Sequence, residues 1–168
     1  RTHFAVTEQS PVVAAEVIIT ADTLFELHLN GQFVGESTTD PDAWNQPRRF
    51  NVADLVKAGG NVIAVGAANT APGPAGLLVQ LRVRLADGQE VNLASDAGWK
   101  CSDTEQANWQ QADADDQAWP AAHVVAAFGA GPWGRLSVPA TAAPPGRREA
   151  ETGGGVPADF VWPEGIVF

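Results

Sequence analysis

Between residues 77 and 85 the chain reads LLVQLRVRL, with Leu77, Val79, Leu81, Val83 and Leu85 on one face and Gln80, Arg82 and Arg84 on the other. Successive side chains of a strand point to opposite faces, so this period of two predicts a half-buried β-strand. TLFELHL at 23–29 repeats it. Phe25, Leu27 and Leu29 are expected inside. Leu24, Glu26 and His28 are expected outside, with Glu26 and His28 either an acid/base pair or part of a solvated sheet face. VVAAEVII (12–19) and NVIAVGAA (61–68) are apolar runs of strand length. Asn30-Gly31 stands between two apolar runs, and both residues tolerate the positive φ of a type I′ turn, so a hairpin is predicted there. Asp87-Gly88 predicts a second, with Val91 and Leu93 on its return strand.

Between these strands lie less regular stretches. Residues 36–48, ESTTDPDAWNQPR, hold two prolines and an isolated Trp44, and read as a long loop. FNVADLVKAGG at 50–60 predicts a short helical turn capped by Asn51, packed through Leu55 and Val56 and ended by Gly59-Gly60. NTAPGPAG at 69–76 is a loop. Beyond residue 95, Trp99, Trp109 and Trp119 recur at intervals of ten among polar residues.

The 168 residues are enough for one domain with an extension. Residues 1–136 are assigned to a β-sandwich. Residues 137–168 read as a Pro/Gly/Ala-rich, linker-like tail ending in the apolar DFVWPEGIVF. Charged residues make up only 18%, against 17 glycines and 12 prolines, which suits an all-β chain with many reversals. No strand–helix–strand alternation and no glycine-rich phosphate loop exist. The formal net charge of −10 argues against a nucleic-acid partner, which needs a basic patch, and against anionic membranes. Acidic polymers are disfavoured too, unless Arg48 and Arg49 form a local exception. The single Cys101 forms no internal disulfide and no Cys/His metal set. No apolar run approaches the ~20 residues that span a membrane. The chain starts at Arg1, as a piece excised or processed from a longer protein would.

The order of motifs is more specific than any one of them. LFELHLNGQFVGE (24–36), Trp44, FNVADLVKAGGNVIAVGAAN (50–69), GLLVQLRVRLADGQ (76–89), SDAGWK (95–100), DDQAWPAA (115–122) and PWG (132–134) follow one another. Over roughly residues 12–134 this series resembles the galactose-binding-like jelly-roll domains that accompany glycoside hydrolases. These include the sugar-binding domain of the β-galactosidase and β-glucuronidase group and the N-terminal domains of α-L-rhamnosidases. Modules of large secreted planctomycete proteins are similar, some of them joined to haem-binding cytochrome domains; the haem signature C-x-x-C-H is absent here. The resemblance implies an all-β jelly-roll β-sandwich serving as a non-catalytic, carbohydrate-binding accessory module of a larger secreted protein, extracellular or periplasmic. Its partners would be carbohydrate and the neighbouring domains of the parent. The alternative is a structural or interaction module that orders its neighbours without binding sugar, and a catalytic domain is a third reading.

Sugar recognition needs a flat aromatic face for the C–H side of a pyranose and fixed polar groups for its hydroxyls. In sandwiches these sit on loops at one end. Trp44, beside Asn45, Gln46, Arg48 and Arg49, is the leading aromatic candidate, or else a lid on the core. Arg48 either joins it or pairs with acidic surface groups. Asn69 ends a strand and either binds a hydroxyl or caps its own turn. Trp109, between Asn108 and Gln110, is a second aromatic candidate, whereas Trp99, Trp119 and Trp133 are expected to pack. Asp113, Asp115 and Asp116 suggest a structural calcium site, since hard cations prefer oxygen, or a solvated acidic turn; their spacing is not that of an EF-hand. No local motif marks a catalytic nucleophile, and glycoside hydrolysis would need two carboxylates placed across a cleft.

Overall fold

The computed structural model describes residues 1–70, 72, 73, 75–127, 129, 130, 134–140, 143, 145 and 146. Eight strands run β1 (Thr2–Val6), β2 (Val12–Asp22), β3 (Leu24–Leu29), β4 (Gln32–Glu36), β5 (Arg48–Asn51), β6 (Gly59–Ala68), β7 (Gly76–Leu85) and β8 (Glu90–Ala94). They form two antiparallel four-stranded sheets, ordered β1-β6-β3-β4 and β5-β2-β7-β8. The fold is therefore an all-β sandwich, as the alternation and the turn residues indicated. The core lies between the sheets. Val17 and Ile19 of β2, Leu81 and Val83 of β7, Phe25, Leu27 and Leu29 of β3, and Ile63 of β6 are at most 2% exposed.

Both predicted hairpins form. Asn30 and Gly31 take φ of +53° and +79°, which a type I′ turn requires. The Asn30 side chain fixes the turn to its surroundings. Its Nδ2 donates to Leu55 O and to Asn61 Oδ1 at 2.9 and 2.8 Å, and its Oδ1 accepts from the Val62 amide at 2.9 Å. β7 and β8 pair from Gln80–Ala94 to Arg84–Glu90 around the Asp87-Gly88 turn.

Three sequence expectations are corrected. β1 was not anticipated; it pairs with β6 from Thr2–Ile63 to Val6–Gly59. The helical turn of 50–60 is only the 3-10 segment Ala53–Leu55. Asn51 belongs to β5, although its Oδ1 still accepts from the Ala53 amide at 3.1 Å, and Gly59-Gly60 open β6 rather than end a helix. Glu26 and His28 are not on a solvated face. All six residues of β3 are buried, with Glu26 5% and His28 8% exposed, and His28 Nε2 meets Glu26 Oε1. The reason is tertiary. The chain beyond residue 95 folds back over this sheet, and the Trp109 ring stands edge-on to His28 at 5.3 Å.

Of the other tryptophans, Trp99 is 3% exposed and donates through Nε1 to Ala94 O at 2.9 Å, joining the core as expected. Trp119 is half-buried. Trp133 and the apolar tail around Phe160, Val161 and Trp162 lie outside the described residues.

Candidate functional site

Three connections meet at one end of the sandwich: β2 to β3, β4 to β5, and β6 to β7. The first turns at Asp22-Thr23, whose peptide bond is cis. The second carries the 3-10 turn Ala43–Asn45. This turn is built by local bonds, with the Asp42 amide donating to Asp40 Oδ1 at 2.8 Å and the Gln46 amide to Ala43 O at 3.0 Å. Thr20, buried at the end of β2, ties it down by directing its hydroxyl at Trp44 O, 2.8 Å away, and Ala43 O, 3.2 Å away. Trp44 is thereby held half-buried beside Thr20, Ala21, Asp22, Gly76 and Leu78.

Oxygen atoms gather where β2 turns into β3. Thr23 Oγ1 lies 3.3 Å from Asp22 Oδ1 and 3.5 Å from Asn69 Oδ1, and accepts from the Thr70 amide at 3.4 Å. The Asn69 Nδ2 donates to Gly73 O at 3.3 Å, so Asn69 does close its own loop while its carbonyl faces Thr23. Chemically, this end offers an indole surface, a small apolar floor from Ala21, Gly76 and Leu78, and a carboxylate, a hydroxyl and an amide side by side.

The residues singled out from the sequence separate into two groups. Trp44 and Asn69 come to this end. Arg48 begins β5 next to it, and its guanidinium is already engaged, donating through Nη1 to Glu36 O and lying 5.1 Å from the centre of the Phe50 ring. Trp109 belongs to another surface, against His28. His28 is four residues along β3 from Leu24, or ~13 Å at the rise of a strand. The three aspartates are likewise not assembled. Asp116 lies 2.9 Å from Arg1 Nε and 3.3 Å from His3 Nε2, while Asp113 and Asp115 are exposed. Among the described residues, no three His, Cys, Asp or Glu side chains are grouped to hold a metal ion. Arg49 is no free cation either, since its Nε donates to Glu16 Oε2 at 2.9 Å.

Asp22 and Thr23 are the site residues that the sequence reading missed. Their signal was a polar pair at the junction of two apolar runs, in a chain where each other strand junction nearby carries Gly, Pro or Asn.

A family model described as the alpha-L-rhamnosidase N-terminal domain matches residues 10–144, most of the chain. The chain belongs to the α-L-rhamnosidase N-terminal domain family. A curated relative, an alpha-L-rhamnosidase of Streptomyces avermitilis, is 41% identical over 135 residues, which are 79% of this chain and 13% of that protein. The crystal structure of the Streptomyces avermitilis alpha-L-rhamnosidase complexed with L-rhamnose superposes with a TM-score of 0.74 at 37% identity, covering 81% of this chain and 13% of that one. The lectin from Pleurotus ostreatus in complex with GalNAc shares the fold, with a TM-score of 0.64 at 22% identity over 82% of this chain and 40% of the lectin. The domain thus spans about an eighth of the length of its rhamnosidase relatives.

Proposed function

We propose that this domain is a non-catalytic carbohydrate-binding module of a larger secreted glycoside hydrolase. Sugar would be held at the Trp44 end. The carrying observation is a half-buried indole packed against Thr20, Ala21 and Asp22, at the end of the sandwich where Asp22, Thr23 and Asn69 bring their oxygens together. The indole covers the C–H face of a pyranose, and the oxygens receive or share hydrogen bonds with its hydroxyls. Family membership supports the accessory role, and the lectin neighbour supports a fold able to carry a sugar site.

The test is a glycan array and calorimetric titration of the folded domain, beginning with L-rhamnose because the Streptomyces relative was crystallised with it. It is run with and without calcium, since clustered carboxylate, hydroxyl and amide oxygens also suit that cation. Saturable binding that disappears in Trp44→Ala is expected. A second reading, a module that only orders its neighbours, draws on the exposed Val124, Val125 and Val138. Silence across a broad array, from folded protein in both conditions, would favour it.

A further inference from the structure

The loop that carries Trp44 has an unusual anchorage. It leaves β4 in one sheet and enters β5 in the other, so no shared ladder sets the distance between its stems. Each stem is held within its own sheet. At the first, the Ser37 amide donates to Phe25 O at 2.9 Å and the Phe25 amide to Ser37 Oγ at 3.0 Å. At the second, Arg48 pairs with Ile19 of β2.

Arg48 Nη1 donates directly from the second stem to Glu36 O on the first, and a second bridge comes from far along the chain. Ala143 forms a parallel bridge to Phe50. Its amide donates to Arg49 O at 2.8 Å, and its carbonyl accepts from the Asn51 amide at 2.7 Å. Three residues later the Gly146 amide donates to Val34 O at 2.9 Å, on β4. One short stretch of chain therefore grips both stems. Arg49 locks that stretch in place. Its Nη1 donates to Pro139 O and Ala140 O at 3.2 and 3.0 Å, while Nε and Nη2 are held by Glu16 of β2. Contact between the stems is close as well: a Cβ on Gly35 would stand 2.4 Å from the Phe50 ring.

We infer that Pro139, Ala140, Ala143 and Gly146 act together as a strap that sets the position of the Trp44 loop, with Arg49 as the positioning residue that fastens it. Among the described residues, the strap's hydrogen bonds go to Val34, Arg49 and Asn51, so its effect on a ligand runs through β4 and β5. The purpose assigned to the loop rests on the carbohydrate reading above, but its anchorage does not.

The experiment is amide hydrogen exchange by NMR on the full chain without sugar, comparing wild type with Ala143→Pro, Arg49→Ala and Arg49→Lys. The proline removes the Ala143 N–H that bonds Arg49 O, and the alanine removes the clamp. The amides to read are Ala43, Asn45 and Gln46, all hydrogen-bonded within the loop. Their exchange is expected to rise about fivefold to tenfold in Ala143→Pro and Arg49→Ala, as for loss of one or two bonds, while Leu27 and Leu81 stay protected. Lysine keeps the charge opposite Glu16 but not the fork, so Arg49→Lys should fall between. If Ala143→Pro unfolds, the two Arg49 variants carry the test. Unchanged loop exchange overturns the inference, and so does a uniform rise through the core, which would make the strap a general stabiliser. Sugar titration of the same variants is a separate readout. Looser loops in a protein that binds no glycan would sink the carbohydrate reading and leave the strap standing.

Discussion

Strands β3 and β7 carry nearly the same sequence pattern and meet opposite fates. In β7 the alternation holds as written: Leu81, Val83 and Leu85 are at most 2% exposed, and Gln80, Arg82 and Arg84 face solvent. In β3 the inward residues are as dry, but Glu26 and His28 on the other face are buried too. The difference lies outside both strands. The chain after residue 95 folds over the β3 sheet, bringing Trp109 onto His28 and the Gln111 side chain against Gly31. Over β7, Gln80, Arg82 and Arg84 are left open to water. A period of two therefore specifies which residues share a face. It does not specify whether the polar face is wet.

The largest effects should not distinguish the strands at all. Leu27→Ala and Leu81→Ala each remove a fully buried side chain from the common core, and each should cost about 2–5 kcal/mol in chemical denaturation. A gap of more than that range between them would break the idea of one shared core. The polar faces should separate sharply. His28→Ala removes one partner of the buried Glu26 carboxylate and the edge-on contact with Trp109, and should cost about 2–3 kcal/mol, whereas Arg84→Ala, on an exposed face, should change stability by less than about 0.5 kcal/mol. Equal effects would mean that the cover over β3 contributes nothing. Gly31→Ala should fall between these two. A Cβ there would sit 2.2 Å from Gln111 Oε1 at a φ of +79°, for a loss of about 1–2 kcal/mol in thermal or urea unfolding.

The last prediction concerns rate rather than stability. Cys101 lies within the covering segment, half-buried, and burial pushes its thiol above the ordinary range, with the nearby N-terminal amine acting the other way. The thiolate is the nucleophile, so alkylation near neutral pH should be slower than for a free cysteine and should climb as pH rises. Urea should abolish the retardation. Native protein that reacts as fast as unfolded protein would show that the cover opens readily.

Much of the scaffold was legible because it depends on local chemistry. The Asn30-Gly31 and Asp87-Gly88 turns and the β2, β3, β6 and β7 runs all follow from alternation and turn preference. β1 was not legible, since THFAV is short and only weakly alternating. The candidate site was legible in part. Trp44 and Asn69 advertise themselves as an isolated aromatic and a strand-end amide in loops. Asp22 and Thr23 do not, because a short polar pair between strands is common and acquires meaning only beside Trp44 and Asn69. Arg48 and the 113–116 aspartates looked available from composition, yet Arg48 is bonded to Glu36 O and Asp116 is paired with Arg1.

By itself the sequence determined the strand faces, the hairpins and the family, since each is encoded in residue order at short range or in the series of motifs. Only the tertiary structure decided which polar face lost its water, which loops met at one end, and that residues near 143 would staple the two stems of the Trp44 loop. Those outcomes depend on contacts between residues tens of positions apart, and the free energy of such contacts is set by what each segment finds to pack against.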